Sequence, residues 1–97
     1  MKLRFTPRAV ADLTNIADFI RRESPQGALR ARASILQTLE LLLEFPRMGR
    51  RQTTPGVRKF VARRYDYIVY YSIDIAVDEL SVLSIRHPAQ RRPTSDG

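Results

Sequence analysis

"YDYIVYYSI", residues 65–73, decides the fold of this chain. The stretch is aromatic and β-branched almost throughout, which suits a pleated and half-buried surface, so it reads as a strand. It holds all four tyrosines, Tyr65, Tyr67, Tyr70 and Tyr71, directly after Arg63 and Arg64. Its neighbours share the strand pattern. "VRKFVA" (57–62) precedes it and "ELSVLSIRH" (79–87) follows it. "DIAVD" (74–78) supplies the turn of a hairpin between the last two.

Upstream, "PRMGRRQTTPG" (46–56) has two glycines, two prolines and no periodicity, and reads as a loop. Before it, two apolar stripes recur at helical spacing. Val10, Leu13, Ile16, Ala17 and Ile20 form the first, and Ala28, Ala31, Ile35, Leu39, Leu42 and Leu43 the second. Thr6-Pro7 and Ser24-Pro25 each offer an N-cap followed by proline at the first helical position. The first helix is therefore expected over residues 7 to about 23, and the second from 25 until Pro46 stops it. So short a link makes an antiparallel helical hairpin. "KLRFT" alternates and gives a short first strand.

The order is β-α-α-β-β-β. It predicts an α+β fold with the helical hairpin packed on one face of an antiparallel sheet. The other face can stay wet. Residues 1–89 are read as a single domain and 90–97 as a loose tail lacking apolar residues. Alternation sets Tyr65, Tyr67, Val69 and Tyr71 against Asp66, Ile68, Tyr70 and Ser72. If Leu83 and Ile85 pack on the helices beside Ile68 and Tyr70, then Tyr65, Tyr67, Tyr71, Ser84 and Arg86 face solvent.

Composition excludes several classes of function. The chain has no cysteine, so disulfides and thiolate metal sites are absent. His87 is the only histidine, which rules out a multi-histidine metal site within one chain, and no cofactor is implied. No apolar run approaches the roughly 20 residues that span a bilayer. The opening "MKLRFTPRAVAD" mixes charge and proline into its apolar residues and does not read as a signal peptide, so a cytoplasmic protein is expected.

The charge is lopsided. Between Arg47 and Arg64 lie seven basic residues (Arg47, Arg50, Arg51, Arg58, Lys59, Arg63, Arg64) and no acid, so this stretch accounts for the whole net charge of +7. Arginine pairs with carboxylate or phosphate through two hydrogen bonds, and clustered charge of one sign repels itself. Both arguments point to an anionic partner, either nucleic acid or an acidic protein segment. Arg50, Arg51, Arg58, Lys59, Arg63, Arg64 and Arg86 are the candidate partner-binding residues.

A strand, a helical hairpin ending "LLLEFPRMGRR", then "GVRKFV", "YDYIVYY" and "VLSIRH" together resemble the RelE/ParE superfamily of bacterial type II toxins, over about residues 2 to 92. The resemblance implies a toxin neutralised by a tightly bound antitoxin, part of which is a flexible segment that wraps the toxin. An acidic, partly disordered segment is the expected partner chemistry. The superfamily divides by target. ParE-like members poison DNA gyrase and are not enzymes, whereas RelE-like members cut messenger RNA on the ribosome. Of the RelE-like nuclease residues, Arg58 matches the first-strand base, but Tyr67 stands where the middle-strand arginine would be. No tyrosine follows Tyr71. A nuclease would have to work with Arg58, Tyr67, Arg86 and His87, the last able to titrate near neutral pH. The ParE-like branch, with gyrase as target, is therefore expected ahead of the RelE-like endoribonuclease.

Overall fold

The computed structural model describes residues 1–62 and 66–87. Its elements are β1 (Lys2–Phe5), α1 (Pro7–Glu23), α2 (Pro25–Glu44), β2 (Arg50–Arg51), β3 (Val57–Val61), β4 (Ile68–Asp74) and β5 (Glu79–Arg86). Both helices begin where their caps predict. Thr6 Oγ1 accepts the Ala9 N–H at 3.1 Å, and Ser24 Oγ accepts the Gly27 N–H at 3.0 Å. Each satisfies one of the amide donors that a helix start leaves unpaired. Ser24 also closes α1, since its own N–H donates to Ile20 O at 2.8 Å. One residue thus ends the first helix and opens the second, which fixes the tight hairpin.

The strands form one sheet in the order β1-β5-β4-β3-β2, beneath the two helices. The α+β architecture is the expected one, with two differences. First, the sheet is mixed: β1 runs parallel to β5, while β2, β3, β4 and β5 pair antiparallel. Local alternation carries no information on strand direction, and β1 joins the sheet beside a strand distant in sequence. Second, Arg50 and Arg51, within the stretch read as a loop, pair with β3 as an edge strand of two residues. Two residues are too few for a periodic signal.

The core lies between the hairpin and the inner sheet face. Ala9, Ile16, Ala31, Ile35, Leu39 and Leu42 of the helices meet Tyr67, Val69, Tyr71, Leu80, Val82 and Ile85 of the sheet. This corrects the expected facing of the tyrosine strand. Tyr67 and Tyr71 are 1% and 0% exposed and belong to the core, whereas Tyr70 sits half-buried on the other face. Ile68 is buried but stands outside the core cluster. Ser84 and Arg86 face away from the helices as expected. Tyr65 lies outside the described residues.

A β-bulge between β4 and β5 produces this facing. Tyr70 pairs with Ser84 and Tyr71 with Val82, so Leu83 has no partner on β4. The extra residue shifts the phase of β5 and brings Leu80, Val82 and Ile85 to one face. Strict alternation cannot place those three together. Helix α1 secures the bulge. Thr6 Oγ1 donates to Leu83 O at 2.8 Å, and Asp12 Oδ2 accepts the Ile85 N–H at 2.9 Å. An Asp12→Ala variant leaves that amide unpaired and should cost about 2 kcal/mol in urea denaturation. Asp12→Asn keeps an acceptor oxygen and should cost much less.

Candidate functional site

The basic stretch is contiguous in sequence but faces two ways in the fold. Strand pairing places Arg50, Lys59, Tyr70 and Ser84 in one row across the open face of the sheet. Arg86 lies in the next row with Ile68 and Val61. Arg51 and Arg58 pair on the helix side. Arg47, Arg50, Arg51, Lys59 and Arg86 take part in none of the four ion pairs among the described residues, which use Arg4, Arg8, Arg21 and the N-terminus. Arg63 and Arg64 lie outside the described residues.

Arg58 has a structural task. Its Nη1 donates to Gly49 O at 2.8 Å and to Arg47 O at 3.2 Å. Beside it the Tyr71 hydroxyl donates to Pro46 O at 2.7 Å and accepts the Gly49 N–H at 2.8 Å. Two side chains from β3 and β4 thereby clamp the loop that follows α2. Burial is the main influence on the Tyr71 phenol and raises its pKa, against smaller opposing effects of the Gly49 amide and the Arg58 charge. The phenol stays protonated and so remains a donor. Arg58→Leu should loosen the loop, cost about 1.5 kcal/mol, and speed amide exchange at Gly49.

The possible nuclease set is not brought together. His87 packs on the helix side, its ring centroid 5.1 Å from that of Tyr67 and 5.4 Å from that of Phe19. Arg86 is exposed on the opposite face, and Arg58 is engaged with main-chain carbonyls. Burial holds His87 below its ordinary value of 6.5. A depressed histidine favours the folded state only while it is neutral. Stability should therefore be full above pH 6.5 and decline as pH falls below it. His87→Gln should flatten the thermal midpoint over that window.

Sequence periodicity did not reveal one surface. A groove of about 640 Å³ runs along the hairpin, with Leu13, Ile20, Leu29 and Leu36 in its lining and Arg21 and Arg32 among its polar residues. Leu29 is 68% exposed. Among the described residues no group of three acidic, histidine or cysteine side chains could hold a metal ion, and no helix is long and apolar enough to cross a membrane.

Comparison with known proteins agrees with the fold. The model of a family described as the ParE toxin of type II toxin-antitoxin systems, parDE, matches residues 3–92. Toxin RelE2 of Caulobacter vibrioides is 36% identical over 86 residues, covering 89% of this chain and 93% of that one. Y4kP of Sinorhizobium fredii, named as a toxin only provisionally, is 30% identical over 92 residues, covering 95% and 93%. The chromosomal ParDE system of P. aeruginosa contains a chain that superposes with a TM-score of 0.75 at 28% identity, covering 90% of this chain and 95% of that one. A chain of the intact E. coli RelBE complex superposes at 0.64 with 19% identity, covering 89% and 94%, and shares the fold.

Proposed function

Because the chain belongs to the family of ParE toxins of type II toxin-antitoxin systems, we propose that it poisons DNA gyrase and is held inactive by a cognate antitoxin. The observation that carries the choice of target is the separation of Arg58, Tyr67 and His87 from Arg86 across the sheet. Cleavage of RNA by its own 2′-hydroxyl needs an acid, a base and cations around one phosphate. That set does not converge here. The likeness to a chain of the P. aeruginosa ParDE system supports the same branch.

The antitoxin is an acidic, partly disordered segment. Its apolar side chains fill the hairpin groove, which would otherwise leave Leu29 and Leu36 exposed. Its carboxylates meet Arg50, Lys59 and Arg86 on the open face, with Arg63 and Arg64 as further partners. Reversing the charge of Arg50, Lys59 and Arg86 together should weaken the complex by at least about tenfold at low salt, and the deficit should shrink as salt rises. Isothermal titration at two salt concentrations reads this directly.

One observation favours a second reading. Arg50, Lys59 and Arg86 share the open face with Tyr70 and could neutralise a phosphate, as a RelE-like ribosome-dependent endoribonuclease requires. Brief expression of the free chain separates the two. The gyrase reading predicts loss of plasmid supercoiling with intact messages in primer extension. Codon-phased cuts with normal supercoiling would establish the nuclease instead.

A further inference from the structure

A second apolar surface lies away from the hairpin groove. At the end of α2, Phe45 and Met48 line a hollow of about 670 Å³ with Met1, Ile73 and Ile75. Phe45 is 53% exposed and Ile75 71%, and neither takes part in the core. Contiguous exposed apolar side chains are the kind of surface that interaction sites use. The hollow shares no lining residue with the hairpin groove. It continues over Arg47, Ile73 and Ile75 into a second hollow of about 370 Å³ that adds Arg51. Arg47 and Arg51 are exposed and make no ion pair among the described residues.

We propose that this surface is where the free toxin grips its target, and that its occupant is a protein segment with apolar anchors beside carboxylates. The proposal rests on the toxin reading, although not on which target is poisoned. Two features select that occupant. The apolar end, formed by Phe45, Met48 and Ile75, gains only from side chains that fill it. The basic end, formed by Arg47 and Arg51, gains from carboxylates placed a short step away. A nucleic-acid backbone would use the arginines and leave the apolar end in water.

The clamp on the loop gives the surface its shape in advance. Tyr71 and Arg58 tie down Pro46, Arg47 and Gly49, the segment from which Arg47 and Met48 project and which Phe45 adjoins. A surface already held in place loses less conformational entropy on binding. The buried Tyr71 hydroxyl thereby acquires a role beyond stability.

The test compares Phe45→Ser/Ile75→Ser, Arg47→Glu/Arg51→Glu and Arg47→Lys/Arg51→Lys with the wild type. All sites are exposed, so thermal midpoints check that the fold persists. Viable counts after induction read target engagement, and co-purification with the antitoxin reads the other interface. The serine and glutamate pairs should each restore viable counts by at least about tenfold, the lysine pair should retain most of the toxicity, and all three should keep the antitoxin. Arrest by the serine pair as complete as that of the wild type would overturn the proposal. If only the glutamate pair lost toxicity, a polyanion such as RNA would be the occupant and the protein segment would be wrong. Loss of antitoxin co-purification would assign the hollow to the antitoxin instead. A wild type that arrests growth without inhibiting purified gyrase would sink the gyrase reading, while the variants still decide this one. A wild type that does not arrest growth would overturn both.

Discussion

Gly49→Ala should destabilise the protein by about 3 kcal/mol. A Cβ built on Gly49 would stand 2.5 Å from the Tyr71 hydroxyl, 2.7 Å from its Cε1 and 2.9 Å from its Cζ. Real Cβ atoms do not tolerate such contacts, so either the loop or the ring must shift. The ring is fully buried in the core and has little room to move. Overpacking of this kind costs roughly 1–3 kcal/mol. A loop that moves instead also loses the Tyr71 hydrogen bonds to Gly49 and Pro46. Urea denaturation measures the difference, and a loss below about 0.5 kcal/mol would show that the loop yields freely.

Tyr71→Phe is the second large effect, about 2.5 kcal/mol. The phenylalanine fills the same core volume, so the apolar contribution hardly changes. What disappears is one acceptor for the buried Gly49 N–H and one donor to Pro46 O. An unpaired buried amide costs about 1–3 kcal/mol. The two variants must couple, because they act on one contact. Removing the hydroxyl also removes the nearest clash with an alanine at position 49, so the double variant should cost less than the sum of the singles. Additive costs would mean that the loop and the ring are independent, contrary to the observed geometry.

Some of this architecture is legible in the sequence. Thr6-Pro7 and Ser24-Pro25 act through neighbours three residues away, so the helix starts can be read locally. The order of the elements other than β2 and most of the two apolar stripes are also local, although Val10 of the first stripe is exposed and Ala9 is buried instead. The facing of β4 and β5 is not. It depends on the unpaired Leu83, held by Thr6, and on the neighbouring Ile85 amide, held by Asp12, each from more than 70 residues away. The loop clamp is hidden for the same reason. Tyr71 reaches Pro46 across 25 positions, and no spacing rule links them. Arg58 looks like a ligand for an external anion until its guanidinium is found on the carbonyls of Arg47 and Gly49. The basic run looks like one patch because alternation across β2 and β3 becomes visible only once their register is known.

The free chain is proposed to turn gyrase against its own DNA substrate. Its most direct test mixes purified gyrase, relaxed plasmid, ATP and the antitoxin-free chain, then quenches with detergent and protease. A gyrase poison traps the broken DNA, so linear plasmid should accumulate with toxin concentration and disappear when the antitoxin is added first. Plasmid that becomes supercoiled at the untreated rate, with no linear product, would contradict the account.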